Sequence, residues 1–102
     1  MASFEKAAKK SDVKPGEGRV VQAGGREVAL FNVSGQFYAI DNICPHQGGP
    51  LGEGMLDGTE VTCPWHGWSF DVKTGVSTFN PSASVPSLKV KVEGDDIYIA
   101  VP

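Results

Sequence analysis

The chain has 102 residues and a formal net charge of −3, with 40% hydrophobic residues, thirteen glycines and seven prolines. That length accommodates one domain, residues 1–102, with one modest core, and so many glycines and prolines imply a turn-rich chain. No run of about 18 apolar residues is present to span a membrane, and no basic patch marks a nucleic-acid partner.

Residues 1–6 lack the apolar segment of a secretory signal, so a soluble, cytoplasmic protein is expected. Residues 3–10 are compatible with a strand or with a frayed helical turn, because Ala7-Ala8 favours neither. Turn chemistry follows at Ser11-Asp12 and at Lys14-Pro15-Gly16-Glu17-Gly18. Residues 19–23 read as a short strand, Gly24-Gly25 as a hairpin turn, and residues 26–33 as the next strand. In that strand Val28, Leu30 and Asn32 share one face, and Ala29, Phe31 and Val33 the other. Ser34-Gly35 leads into a third strand, 36–41, which completes an antiparallel meander.

Residues 48–54 are too glycine-rich for a helix and are expected to be loop. Met55-Leu56 approaches a hairpin signal at Asp57-Gly58, and a short strand, 60–62, follows. A return strand is expected at 69–72, a turn at Lys73-Thr74-Gly75, and one more strand at 76–79. Residues 80–86 read as an irregular loop. Leu88, Val90 and Val92 then alternate with polar residues, as do Ile97, Ile99 and Val101, around Glu93-Gly94-Asp95-Asp96; this predicts a closing hairpin. With no window for a long amphipathic helix, the fold class is all-β.

Both cysteines and both histidines fall into two clusters, Cys44-Pro45-His46 and Cys63-Pro64-Trp65-His66, with the spacing C-x-H-x16-C-x2-H. Two such turns brought face to face offer two sulfurs and two nitrogens. That donor set fits zinc, or an iron–sulfur cluster in which histidines replace two cysteines on one iron. A disulfide is the alternative for a secreted chain, but each cysteine here has a histidine two or three residues away.

The stretches Cys44-Pro45-His46-Gln47-Gly48-Gly49-Pro50-Leu51 and Cys63-Pro64-Trp65-His66-Gly67-Trp68-Ser69-Phe70-Asp71 resemble the two ligand loops of Rieske [2Fe–2S] proteins. The resemblance is closest to the small soluble Rieske ferredoxins and continues more weakly through Thr74-Gly75, Asn80-Pro81 and the terminal strands. It implies one [2Fe–2S] cluster, with Cys44 and Cys63 on one iron and His46 and His66 on the other. It also implies an antiparallel β-sandwich carrying a small cluster-binding subdomain, approximately residues 42–71, formed by the two ligand loops. A proline-bearing loop at approximately 80–86 covers the cluster in such proteins.

Around those ligands, Gln47-Gly48-Gly49 and Gly67 sit where backbone N–H groups must approach the inorganic sulfides, an approach that glycines permit because they interpose no Cβ. Pro45 and Pro64 stiffen the two loops. Leu51, Trp65, Trp68 and Pro81 are candidates for apolar cover. High-potential Rieske proteins carry a second cysteine pair at the positions held here by Gly49 and Trp65. They also carry a serine and a tyrosine, whose hydroxyls donate toward cluster sulfur, where this chain has Trp68 and Phe70. A hydrogen bond to a charged group contributes roughly 1.5–3 kcal/mol, so each absent donor lowers a one-electron potential by roughly 60–130 mV. A low-potential centre is expected, near the bottom of the span of about −150 to +300 mV for such sites.

The chain has no G-x-G-x-x-G dinucleotide motif, so it is expected not to oxidise NADH unaided. The resemblance implies a one-electron carrier rather than an enzyme, acting between a flavin-dependent reductase and a terminal oxygenase of the aromatic-ring-hydroxylating type. Residues 41–71 hold Asp41, Glu53, Asp57, Glu60 and Asp71 with no lysine or arginine, which suggests an acidic docking face on a monomer. One alternative is the small subunit of an assimilatory nitrite reductase. Another, of a different class, is a zinc-stabilised interaction module using the same four ligands.

Overall fold

The run Val28-Ala29-Leu30-Phe31 explains the architecture. All four side chains are fully buried, so this strand is covered on both faces. The computed structural model describes residues 3–43, 49–64, 67–78 and 81–101, the last stretch without the side chain of Pro81. Strand β1 (Ser3–Lys9) is followed by a single 3-10 turn, Lys10–Asp12, and then by β2 (Gly18–Ala23), β3 (Arg26–Val33) and β4 (Gln36–Asp41). The ambiguous first segment is therefore a strand. Three short strands come next: β5 (Met55–Asp57), β6 (Glu60–Thr62) and β7 (Ser69–Asp71). The chain closes with β8 (Ser87–Leu88), β9 (Val90–Glu93) and β10 (Asp96–Val101).

These strands make three antiparallel sheets, ordered β2-β3-β4-β8, β1-β10-β9 and β5-β6-β7. The expected meander has its expected register, with Ala23 opposite Arg26 and Val33 opposite Gln36. One face of β3 meets the sheet of the two termini. There Val28, Leu30, Val13, Val21, Ala23, Ala39, Ile97, Ile99 and Val101 form a buried cluster that Ala8 also joins. The other face meets the small sheet, where Ala29, Phe31 and Ile40 pack with Leu51, Val61, Cys63, Phe70, Val72 and Val85. Fully burying each large apolar side chain contributes about 1.5–3 kcal/mol, so both layers are integral to the fold. Asn32 is the exception on its face. It is buried because Nδ2 donates to the Val13 carbonyl at 2.8 Å and Oδ1 accepts from Gly35 N–H at 2.8 Å.

Three local expectations need correction. The alternating segment that includes Leu88, Val90 and Val92 is not one hairpin arm. Residues 87–88 pair with Ile40 and Ala39 of the central sheet, whereas β9 pairs with β10 in the other sheet. Each sheet needs an edge partner, and a short break at Lys89 lets one segment serve both. Residues 76–78 form no strand: Ser77 makes only an isolated bridge to Phe70, because both it and Thr78 fold back on the Ser69 carbonyl. Phe79 and Asn80 lie outside the described residues. Finally, the loops at 48–54 and 80–86 each contain one 3-10 turn, Leu51–Glu53 and Pro81–Ala83.

Candidate functional site

The first ligand loop leaves β4 at Asn42, whose side chain is 1% exposed. The Asn42 carbonyl accepts from Leu51 N–H at 2.7 Å, and its Oδ1 accepts from Gly52 N–H at 2.8 Å. Its Nδ2 donates to Glu27 Oε1 at 3.4 Å. One residue thus holds both ends of the loop, and a bridge between Ile43 and Pro50 completes the neck. The returning turn is pressed against β2. A Cβ added at Gly52 would lie 2.8 Å from the backbone nitrogen of Val20, so only glycine allows that approach.

The second ligand loop is a hairpin connection. Thr62 lies opposite Ser69, with their hydroxyls 3.4 Å apart, and Cys63 N–H donates to the Trp68 carbonyl at 2.7 Å. Gly67, at φ +72°, takes the left-handed conformation that lets the chain turn back.

Both necks rise from one buried layer. Leu51 at the end of the first loop and Cys63 at the start of the second belong to the same apolar cluster, with Trp68 packed against it. Cys63 is 2% exposed and Leu51 and Phe70 are fully buried. Gly49 is buried too, whereas Pro64 and Gly67 are exposed and Trp68 is half-buried. The proline-bearing segment is tied to the same layer: Val85 is buried there, its N–H donates to the Gly75 carbonyl at 2.8 Å, and the Pro86 carbonyl accepts from Asp41 N–H at 2.9 Å. The backbone of Pro81 opens the 3-10 turn of that segment. Cys44, Pro45, His46, Gln47, Gly48, Trp65 and His66 lie outside the described residues.

The donor chemistry fits a metal centre. An ionised sulfur in an apolar layer such as that around Cys63 requires a cation beside it, and a bound metal supplies one. Asn42 is the residue that inspection of the sequence missed. An asparagine before a glycine-rich loop looks like ordinary turn chemistry, and nothing in its spacing reveals that it is buried.

The acidic set divides into parts. Asp57, Glu60 and Asp71 sit directly opposite one another across β5, β6 and β7, on the face of the small sheet turned away from the core. Thr78 Oγ1 donates to Glu60 Oε2 at 2.5 Å, and Glu53 is exposed nearby in sequence on its 3-10 turn. Met55, 81% exposed, and Thr62 and Ser69 form the parallel row next to the second ligand loop. Asp41 differs, since Arg26 Nη2 is 3.8 Å from its Oδ2 and offsets its charge. No helix is long and apolar enough to cross a membrane among the described residues.

Known proteins share this organisation. The ferredoxin component of the naphthalene 1,2-dioxygenase/salicylate 5-hydroxylase systems of Ralstonia sp is 38% identical over 88 residues, covering 85% of each chain. Human apoptosis-inducing factor 3 is 37% identical over 89 residues, but the chain spans only 15% of that protein's length. Among solved structures, the ferredoxin of carbazole 1,9a-dioxygenase from Nocardioides aromaticivorans IC177 superposes with a TM-score of 0.91 at 30% identity, over 98% of this chain and 99% of that one. A ferredoxin solved in complex with the oxygenase of carbazole 1,9a-dioxygenase gives 0.86 at 35% identity, over 95% and 92%. The Rieske [2Fe-2S] domain profile matches residues 3–95. Two necks rising from one buried layer, and a profile that runs through both of them, carry one conclusion: the chain belongs to the Rieske [2Fe–2S] domain family, and its cofactor is a [2Fe–2S] cluster.

Proposed function

We propose that this protein is a cytoplasmic, monomeric one-electron carrier that takes electrons from a flavin-dependent reductase and delivers them to a terminal oxygenase of the aromatic-ring-hydroxylating type. The observation that carries this reading is the shared buried layer of Leu51 and Cys63 beneath both ligand loops. Cys44 and Cys63 hold one iron and His46 and His66 the other, within a subdomain of approximately residues 42–71. When bound, the cluster supplies reversible one-electron chemistry. The chain's own residues do the rest. Asn42 and the Cys63–Trp68 hydrogen bond hold the two ligand loops at their necks. Leu51, Trp68 and Phe70 exclude water from the buried side, which keeps the cofactor's environment of low dielectric.

The relatives that are ferredoxin components of dioxygenase systems support the oxygenase reading. The outer row of Asp57, Glu60 and Asp71 supports docking through an acidic face to basic partner surfaces. Purified protein is expected to be coloured, to contain two irons and two labile sulfides per chain, and to become paramagnetic on one-electron reduction. Stoichiometric zinc without sulfide in a colourless sample overturns this in favour of the zinc module. Cys63→Ala should abolish cluster loading. In a reconstituted chain of reductase, carrier and oxygenase, turnover should fall as salt is added; rates indifferent to salt remove the acidic-face component. Turnover supported by a nitrite reductase and not by an oxygenase redirects the assignment to the nitrite-reductase alternative.

A further inference from the structure

This chain, acidic overall, carries a groove lined by lysines. It has a volume of about 720 Å³ and lies where β8 leaves the edge of β4 and β9 begins. Its lining contains Lys73, Lys89 and Lys91 and no carboxylate. Lys73 Nζ stands 5.7 Å from the centre of the Tyr38 ring. Lys91 Nζ stands 4.8 Å from that of Phe4 and 5.7 Å from that of Tyr98. These ring contacts hold two ammonium groups at the groove walls. Glu93, which is not part of the lining, approaches Lys91 at 3.8 Å in an exposed pair, while Lys73 and Lys89 form no ion pair among the described residues.

The backbone of the groove is equally specific. β8 pairs only with Ala39 and Ile40, so residues 36–38 of β4 have no ladder partner on that side among the described residues. An open strand edge accepts an added strand through main-chain hydrogen bonds. Lysines beside such an edge disfavour basic or neutral strands and favour acidic ones. β4 runs from Gln36 at the groove to Asp41 at the base of the first ligand loop, about 17 Å at the usual strand rise. Lys73 likewise follows the end of β7 that is remote from the second ligand loop.

We propose that this groove is a second docking site, which binds an extended acidic segment of a partner protein as an added strand on β4 at residues 36–38. A segment alternating carboxylate and apolar side chains fits it, with the carboxylates meeting Lys73, Lys89 and Lys91 and the apolar groups meeting Phe4 and Phe37. Because the groove lies away from both ligand loops, such a tether leaves the ligand tip open to electron exchange and raises its local concentration at the partner.

The test uses the cluster-loaded full chain and a fluorescein-labelled peptide alternating glutamate with valine. Binding is read by anisotropy and by amide shifts, with a glutamine–valine peptide as control. The acidic peptide should bind, should move the amides of residues 36–38 and 88–91, and should lose affinity about tenfold in the Lys73→Glu/Lys89→Glu/Lys91→Glu variant. A Lys→Gln triple variant should show a smaller loss, and unchanged visible spectra should report that both variants retain the cluster. Equal binding to the charge-reversed variant, or shifts that miss residues 36–38, overturns the proposal. So does binding to phosphatidylserine-containing vesicles without binding to the peptide, which assigns the lysines to a membrane surface instead. None of these readouts depends on which reductase or oxygenase the carrier serves.

Discussion

The two ligand loops are closed by different means. The second is a hairpin: the ladder of β6 and β7 runs up to Thr62 and Ser69, one further backbone hydrogen bond joins Cys63 to Trp68, and a left-handed glycine completes the reversal. The first is longer and joins strand β4 to a 3-10 turn, so no continuous ladder is available to close it. A buried side chain does so instead, with Asn42 accepting from Gly52 while its carbonyl accepts from Leu51. Short loops inherit their geometry from strand register, whereas longer ones need a polar anchor that satisfies buried backbone groups.

Breaking that anchor should have the largest effect. Asn42→Ala leaves the buried Gly52 N–H without its acceptor and removes the donor to Glu27. An unsatisfied buried group costs about 1–3 kcal/mol, so a stability loss of about 3 kcal/mol is expected, together with low iron and sulfide content. Asn42→Asp restores the acceptor but sets a carboxylate against Glu27, and should recover only part of the loss. Urea unfolding and iron analysis check both; an Asn42→Ala protein with the parent's midpoint and full cluster content refutes the clamp. Gly52→Ala attacks the same loop from its other side. Its Cβ meets the Val20 backbone at 2.8 Å, and crowding of this kind costs about 1–3 kcal/mol.

What the sequence revealed follows the same division. The meander, the 57–60 hairpin and the second loop were legible because strand alternation and turn glycines are local signals. The alternation along residues 26–33 marks both the extent of β3 and its two faces. That both faces are buried, one in each of two layers, depends on sheets made of residues far along the chain. The clamp by Asn42 and the split of residues 87–93 between two sheets were illegible for a similar reason. Each exists only once distant segments have met. The alternation of Leu88, Val90 and Val92 was real, but periodicity does not say which sheet a residue joins. Likewise the charge count grouped Asp41 with four other acids, while the register of β3 and β4 sets it beside Arg26.

The apolar layer beneath the loops can be sharpened by restoring a hydroxyl. Phe70 is fully buried opposite Val61 and beside Ser77. Phe70→Tyr should raise the midpoint potential by about 60–130 mV, the equivalent of one hydrogen bond to a charged group. Voltammetry reads the potential and thermal unfolding reads the stability. A hydroxyl that reaches cluster sulfur leaves stability near that of the parent. An unmoved potential with a stability loss of about 1–3 kcal/mol means the hydroxyl is buried without a partner, and the account of the low potential then fails.

The smallest effect should come from the second loop. Gly67 is exposed, and a Cβ there meets no atom within 4 Å among the described residues, so Gly67→Ala creates no collision with them. The cost read in the backbone is its left-handed conformation at φ +72°, about 1–2 kcal/mol for an L-residue. Asparagine tolerates that conformation better than most L-residues, so Gly67→Asn should recover part of the loss. The same pair of substitutions at Gly52 should show no such recovery, because the obstacle there is the Val20 backbone and a larger side chain worsens it. Equal recovery at both positions would mean that the two glycines serve one purpose, and the distinction between a loop closed by register and a loop closed by an anchor would not hold.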